Sequence, residues 1–175
     1  MVNSKQKGAS NERSVCRQLS LWVTHGTKED VFWRSAMSGG RATVAKRKGK
    51  KLASQAGDIS SVDINGHILT DHFYIETKHV KNLCLDRFIV TRTGPLVKYW
   101  NTACLEATTY NKQPLLIVKQ NLLPALLICE FGTVGKLTGK RVTLNGCLAR
   151  VYSSSVACEI WPFEHILTLR FAYDN

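Results

Sequence analysis

Gly57-Asp58-Ile59 and, eighteen residues after the aspartate, Glu76-Thr77-Lys78 set two acids and a lysine in apolar text. A strand repeats its side-chain direction every second residue, so Glu76 and Lys78 share one face and Thr77 takes the other. Asp58 opens a strand-prone run to Ile64, and the Asn65-Gly66 that follows is a hairpin-type turn. Pairing of the two runs would bring Asp58 beside Glu76 and Lys78. Two carboxylates and an ammonium in one place suit a hard divalent cation, Mg2+ with Mn2+ as a substitute. Phosphodiester hydrolysis needs what such a group offers: charge neutralisation on the phosphate, an acidified water, and a lysine that orients the nucleophile. Asp63 competes with Asp58 for this place. It lies an odd number of residues away and would face the other side of the same strand.

Upstream of Asp58 the chain changes character. From Ser35 to Gly57 it is rich in Ser, Gly, Ala and Lys, and between Asp30 and Asp58 there are seven Lys or Arg and no acid. A long cationic loop is expected over 35–57, and Arg41, Lys46, Arg47, Lys48, Lys50 and Lys51 in it are candidate phosphate contacts. Before it, Val31-Phe32-Trp33-Arg34 reads as a short strand. Before that, a helix is expected over about Ser10 to Val23, capped by Ser10 or Asn11, with Val15, Leu19 and Trp22 on its apolar face. Glu12 would fall in its first turn, where it complements the helix dipole. Residues 1–8 read as a basic arm.

Downstream, Phe73–Lys78 is a strand and the text to Thr93 is mixed. Pro95 to Tyr110 has the apolar stripe of a helix, with Leu96, Tyr99 or Trp100, Ala103 and Ala107 at helical spacing. Leu115–Val118 and Leu126–Cys129 are continuous apolar runs, as strands buried on both faces have. Residues 131–175 are punctuated by Gly132, Gly135, Gly139 and Asn145-Gly146. They read as a β-rich extension of the same domain, with Val142–Leu144 and Leu148–Tyr152 as strands and Ile166–Phe171 as a last strand or helix. The expected fold class is α/β (α+β), a central mixed sheet flanked by helices.

Composition narrows the partners. Lys and Arg number 24 against 13 Asp and Glu, a net charge of +11, which favours a polyanion and nucleic acid first. No apolar run reaches the ~20 residues of a membrane span, and Met1 to Gly8 lacks the apolar segment of a signal peptide. An intracellular, soluble setting is expected, in cytoplasm or nucleoid or in a viral host. The six cysteines form no Cys-x-x-Cys pair and read as reduced core thiols. His72 and His79 have no partner at the spacing of a His-based nuclease, and Glu130 and Glu159 have no lysine two residues on.

Asp58 with Glu76-x-Lys78 resembles the signature of the PD-(D/E)xK nuclease superfamily, with Gly57 where that motif often has proline. Lys7-Gly8-Ala9-x-x-Glu12-Arg13 and Arg34-Ser35-Ala36-Met37-Ser38-Gly39 look like the corresponding stretches of archaeal-type Holliday-junction resolvases. The order Glu12, Arg34, Ser38, Asp58, Glu76, Lys78 is that family's order, and the resemblance covers roughly residues 7 to 130. It implies a restriction-endonuclease-like core over 9–130. It also implies metal binding by Asp58, Glu76 and Glu12, a water positioned by Lys78, and a phosphate or water contact from Ser38. Arg13 and Arg34 would bind DNA phosphates, and the protein would act on branched or duplex DNA as a homodimer or higher symmetric oligomer. The stretch from Ser38 to Asp58 is longer and more basic than in compact resolvases, and residues after 130 have no counterpart. A sequence-specific nuclease of homing or restriction type on the same fold stays open for that reason. So does a non-catalytic DNA-binding protein, although carboxylates beside phosphates gain a purely electrostatic binder nothing.

Overall fold

The structure, a computed structural model, describes residues 4–35, 56–139 and 145–173. Its centre is a five-stranded sheet in the order β3-β4-β5-β7-β6, made of β3 (Phe73–Val80), β4 (Gln113–Gln120), β5 (Ala125–Cys129), β6 (Ala149–Tyr152) and β7 (Ala157–Pro162). β3 and β4 are parallel and the other neighbours are antiparallel, so the sheet is mixed. The parallel pair needs a crossover. It is supplied by α3 (Leu85–Thr91) and α4 (Pro95–Thr109).

Helices cover both faces. Leu115 and Ile117 pack with Ile75, Phe73, Leu127 and Trp161 beneath Val15, Leu19 and Trp22 of α1 (Ser4–Val23). Leu116 and Val118 turn the other way, to Ile128, Ile160, Phe88 of α3 and Leu96 and Trp100 of α4. This is why Leu115–Val118 shows no alternation: both sides of the strand are core. The architecture is the mixed α/β arrangement of a restriction-endonuclease-like fold.

A separate two-stranded ribbon, β1 (Phe32–Arg34) against β2 (Ile59–Ser61), lies beside the open edge of β3. Here the expected hairpin is corrected. The strand ends at Ser61, and Asn65-Gly66 lies inside a helix, α2 (Ile64–His72). Asp63 is its N-cap and accepts the Asn65 N–H at 2.9 Å. Asp, Asn and Gly serve turns and helix starts through the same local hydrogen bonds, so the letters alone did not separate the two. Gly66 is needed for another reason. A Cβ there would meet Ser61 Oγ at 2.5 Å and Phe32 Cε1 at 2.8 Å, so α2 sits directly on the ribbon.

Two further expectations change. α1 begins at Ser4, because Lys5, Gln6, Lys7 and Ala9 are good helix formers and extend it backwards. Glu12 therefore lies past the second turn, and neither Ser10 nor Asn11 caps the helix. The C-terminal segment does not pack on the sheet as an extension but enters it: β7 lies between β5 and β6. It also adds α5 (Thr133–Thr138) and α6 (Phe163–Thr168), which ends before the expected Phe171. Val142–Leu144 lies outside the described residues. All six cysteines are free; Cys16, Cys129 and Cys158 are buried and the other three partly so. Among the described residues no helix is long and apolar enough to cross a membrane.

Candidate active site

β3 is the edge strand of the sheet, and its outer side carries Glu76 and Lys78. They lie on the face toward α4, with Tyr74, while Ile75 and Phe73 point to α1. Lys78 donates to Glu76 Oε1, and the Tyr74 hydroxyl donates to Glu76 Oε2 at 3.2 Å. The Glu76 side chain is 14% exposed and that of Lys78 35%.

Asp58 comes to the same edge by a route other than a hairpin. Gly57 forms a parallel bridge with Ile75, and the Asp58 N–H donates to the Ile75 carbonyl at 2.9 Å. The next outward-facing donor of β3, the Thr77 N–H, then reaches Asp58 Oδ2 at 2.9 Å, with Thr77 Oγ1 at 3.4 Å. A carboxylate thus ends the ladder where a further strand would continue it. Gly57 makes the approach possible. Its φ is +87°, and a Cβ would stand 2.5 Å from the Ile75 oxygen. Proline, the common residue of the motif here, has φ fixed near −65° and does not fit this turn.

The electrostatics follow from this crowding. Glu76's carboxyl is raised above the ordinary value, first by burial and then by the charge of Asp58, against the opposing pull of Lys78. For Lys78, burial pushes the ammonium down. Glu76's charge and hydrogen bond outweigh it and the net direction is up. A partly dehydrated pair of like charges, all-oxygen in its donors, is what a hard divalent cation relieves. Asp58 and Glu76 fit such an ion when waters and phosphate oxygens complete its shell, as Mg2+ prefers.

The expected third carboxylate does not join them. Glu12 is paired with Arg34 of β1, and α1 lies over the opposite face of β3 from Glu76. Among the described residues no group of three or more His, Cys, Asp or Glu side chains is placed to hold one metal ion. Asp58, at the edge, is felt on both sides. Its charge acts on Glu76, and on the Cys16 thiol of α1, which burial and then Glu12 push up to about 12. Arg13 is exposed on α1. Ser38, Arg41, Lys46, Arg47, Lys48, Lys50 and Lys51 lie outside the described residues. The chain that holds them leaves and returns beside the site, since the Ser35 N–H donates to the Asp58 carbonyl at 2.8 Å. Asp63 is elsewhere, capping α2 and paired with Lys28 at 2.7 Å. Tyr74 and Thr77 were not anticipated. For Tyr74 the signal was present, because it stands two residues before Glu76 and shares its face by the same parity that linked Glu76 to Lys78.

A family model described as "Phage putative PDDEXK endonuclease" matches residues 3–145, and the chain belongs to that family. No curated protein and no solved structure matches it.

Proposed function

We propose that this member of the phage PDDEXK endonuclease family is a divalent-metal-dependent endonuclease that hydrolyses DNA phosphodiesters and selects branched DNA, as a Holliday-junction resolvase does. The observation that carries the metal-dependent reading is the junction of Asp58 with Glu76-x-Lys78 at the edge of β3, where two acids and a lysine meet through the Thr77 N–H and Ile75 carbonyl. The choice of branched DNA rests on the sequence order of Glu12, Arg34, Ser38, Asp58, Glu76 and Lys78.

A divalent cation held by Asp58 and Glu76 would neutralise charge on the scissile phosphate and acidify a water. Lys78 orients that water from beside Glu76 and counters charge that builds on the phosphate oxygens during attack. Glu12 holds the Arg34 guanidinium by one of its five N–H donors, which aims the others at a neighbouring phosphate. Ser38 and the basic residues between Arg41 and Lys51 would add phosphate contacts, and the net charge of +11 makes binding steeply salt-dependent. A symmetric dimer would cut the two opposed strands of a junction.

The test is a synthetic four-way junction and its linear arms, each incubated with Mg2+, Mn2+ or EDTA. Paired symmetric nicks in the junction, lost in EDTA and in Lys78→Ala, are expected. No cutting of any DNA with either metal, or full activity in Lys78→Ala, would overturn the proposal. Cutting of linear arms at one sequence without regard to branching would reassign the enzyme to the site-specific type.

A further inference from the structure

Among the described residues Tyr74 is the other polar group bonded to Glu76 besides Lys78, and nothing in the PD-(D/E)xK signature calls for it. Its hydroxyl donates to Glu76 Oε2 at 3.2 Å while Lys78 takes Oε1. The ring is buried with Ala56 and Ala107 and stacks on Tyr110 at 6.2 Å between centroids and 14° between planes. Tyr110 is itself fixed as the C-cap of α4, its N–H donating to Ala107 and Glu106 carbonyls. The hydroxyl therefore stands on a rigid lever that runs back to the helix packed over this face.

We propose that Tyr74 is a positioning residue: it sets the plane of the Glu76 carboxylate so that the lone pairs left over by Lys78 and Tyr74 face the cation site beside Asp58. A carboxylate accepts about four hydrogen bonds or metal contacts. Held from both oxygens, it keeps one rotamer. Held by Lys78 alone, at the end of a flexible four-carbon stem, it turns. Donors behind metal ligands typically contribute about 10–100-fold to metal affinity. This inference rests on the reading of Asp58 and Glu76 as cation ligands, and its test separates the two.

Mn2+ is titrated into the DNA-free protein, with free Mn2+ read by electron paramagnetic resonance, for wild type, Tyr74→Phe and Glu76→Gln. Tyr74→Phe keeps the ring and its stacking. It is expected to bind Mn2+ about tenfold more weakly and to melt in EDTA as wild type does. In cutting assays it should need correspondingly more metal for half-maximal rate. Wild-type Mn2+ affinity in Tyr74→Phe, with affinity lost in Glu76→Gln, overturns the role of Tyr74 and leaves the site standing. Wild-type affinity in Glu76→Gln removes the site, and the inference with it. A lower melting temperature in Tyr74→Phe with unchanged Mn2+ affinity marks its hydroxyl as structural and also overturns the proposal.

Discussion

Glu76 and Glu159 are both carboxylates on strands of one sheet, Glu76 half-buried and Glu159 buried, and both have a basic partner. Glu159 is the more deeply buried, its side chain 2% exposed against 14% for Glu76. It sits opposite Arg150 across the β6–β7 pair, bonded to that guanidinium and to Trp161 Nε1 at 3.1 Å. Arg150 in turn lies over the Phe131 ring. Every group there has a complementary neighbour. Glu76 has Lys78 and Tyr74 but also Asp58, whose negative charge works against it. Burial of an acid is therefore no mark of chemistry in this protein. A second acid pressed against the first is the mark, because a fold selected for stability alone has no reason to gather like charges.

The comparison breaks or holds on exchange of each acid for its amide. Glu76→Gln should lower cutting by about 10³-fold, the loss of roughly 4 kcal/mol of metal-assisted charge stabilisation, with the fold intact by circular dichroism. Gly57→Ala should remove cutting too, but by moving Asp58. The left-handed backbone and the contact with the Ile75 oxygen together cost on the order of 3 kcal/mol, read as a lower midpoint in urea. Glu159→Gln should do the reverse of Glu76→Gln. It trades the charged partner of Arg150 and of the Trp161 N–H for a neutral amide and, because Arg150 is itself half exposed, destabilises by about 1 kcal/mol, while cutting well below the melting temperature stays at the wild-type rate. Equal effects of the two amide exchanges on cutting would erase the distinction.

A finer difference concerns pH. Glu76's folded value is raised, so its contribution to stability is full below the ordinary glutamate range and is lost as pH rises through the raised value. In EDTA, wild type should therefore gain stability relative to Glu76→Gln as pH falls from neutral into acid, whatever the exchange costs Lys78 at neutral pH. Asp63 has the opposite sign. Lys28 and the Asn65 N–H hold its carboxyl down at about 2, so its contribution is present above the ordinary aspartate value and is lost as pH falls through about 2. Asp63→Ala should lower the melting temperature slightly at neutral pH and leave cutting unchanged, the smallest effect expected.

Much of the sheet was legible because its strands follow rules of periodicity. β4 and β5 are unbroken apolar runs, and Glu76 and Lys78 share a face of β3 by parity. What escaped was set by contacts distant in sequence. Asn65-Gly66 has the letters of a hairpin, but Asp63 bonds forward to make a helix start. Asp58 reaches β3 through one parallel bridge at Gly57, which no local pattern encodes. β7 was missed because Ala157–Pro162 begins among serines and carries Glu159, whose burial makes sense only once Arg150 stands opposite. Glu12 carries a charge that fits a metal shell in composition, and only the position of Arg34 shows where that charge is spent.

The hydrogen bond from Ser35 to the Asp58 carbonyl has one more consequence. It closes the chain between Ser35 and Ala56 at its base, so the two ends meet whatever lies between them. Asp58 is thereby held at both ends of its backbone, its N–H by Ile75 of β3 and its carbonyl by Ser35 just after β1, so its carboxylate is fixed to the sheet and to the ribbon at once.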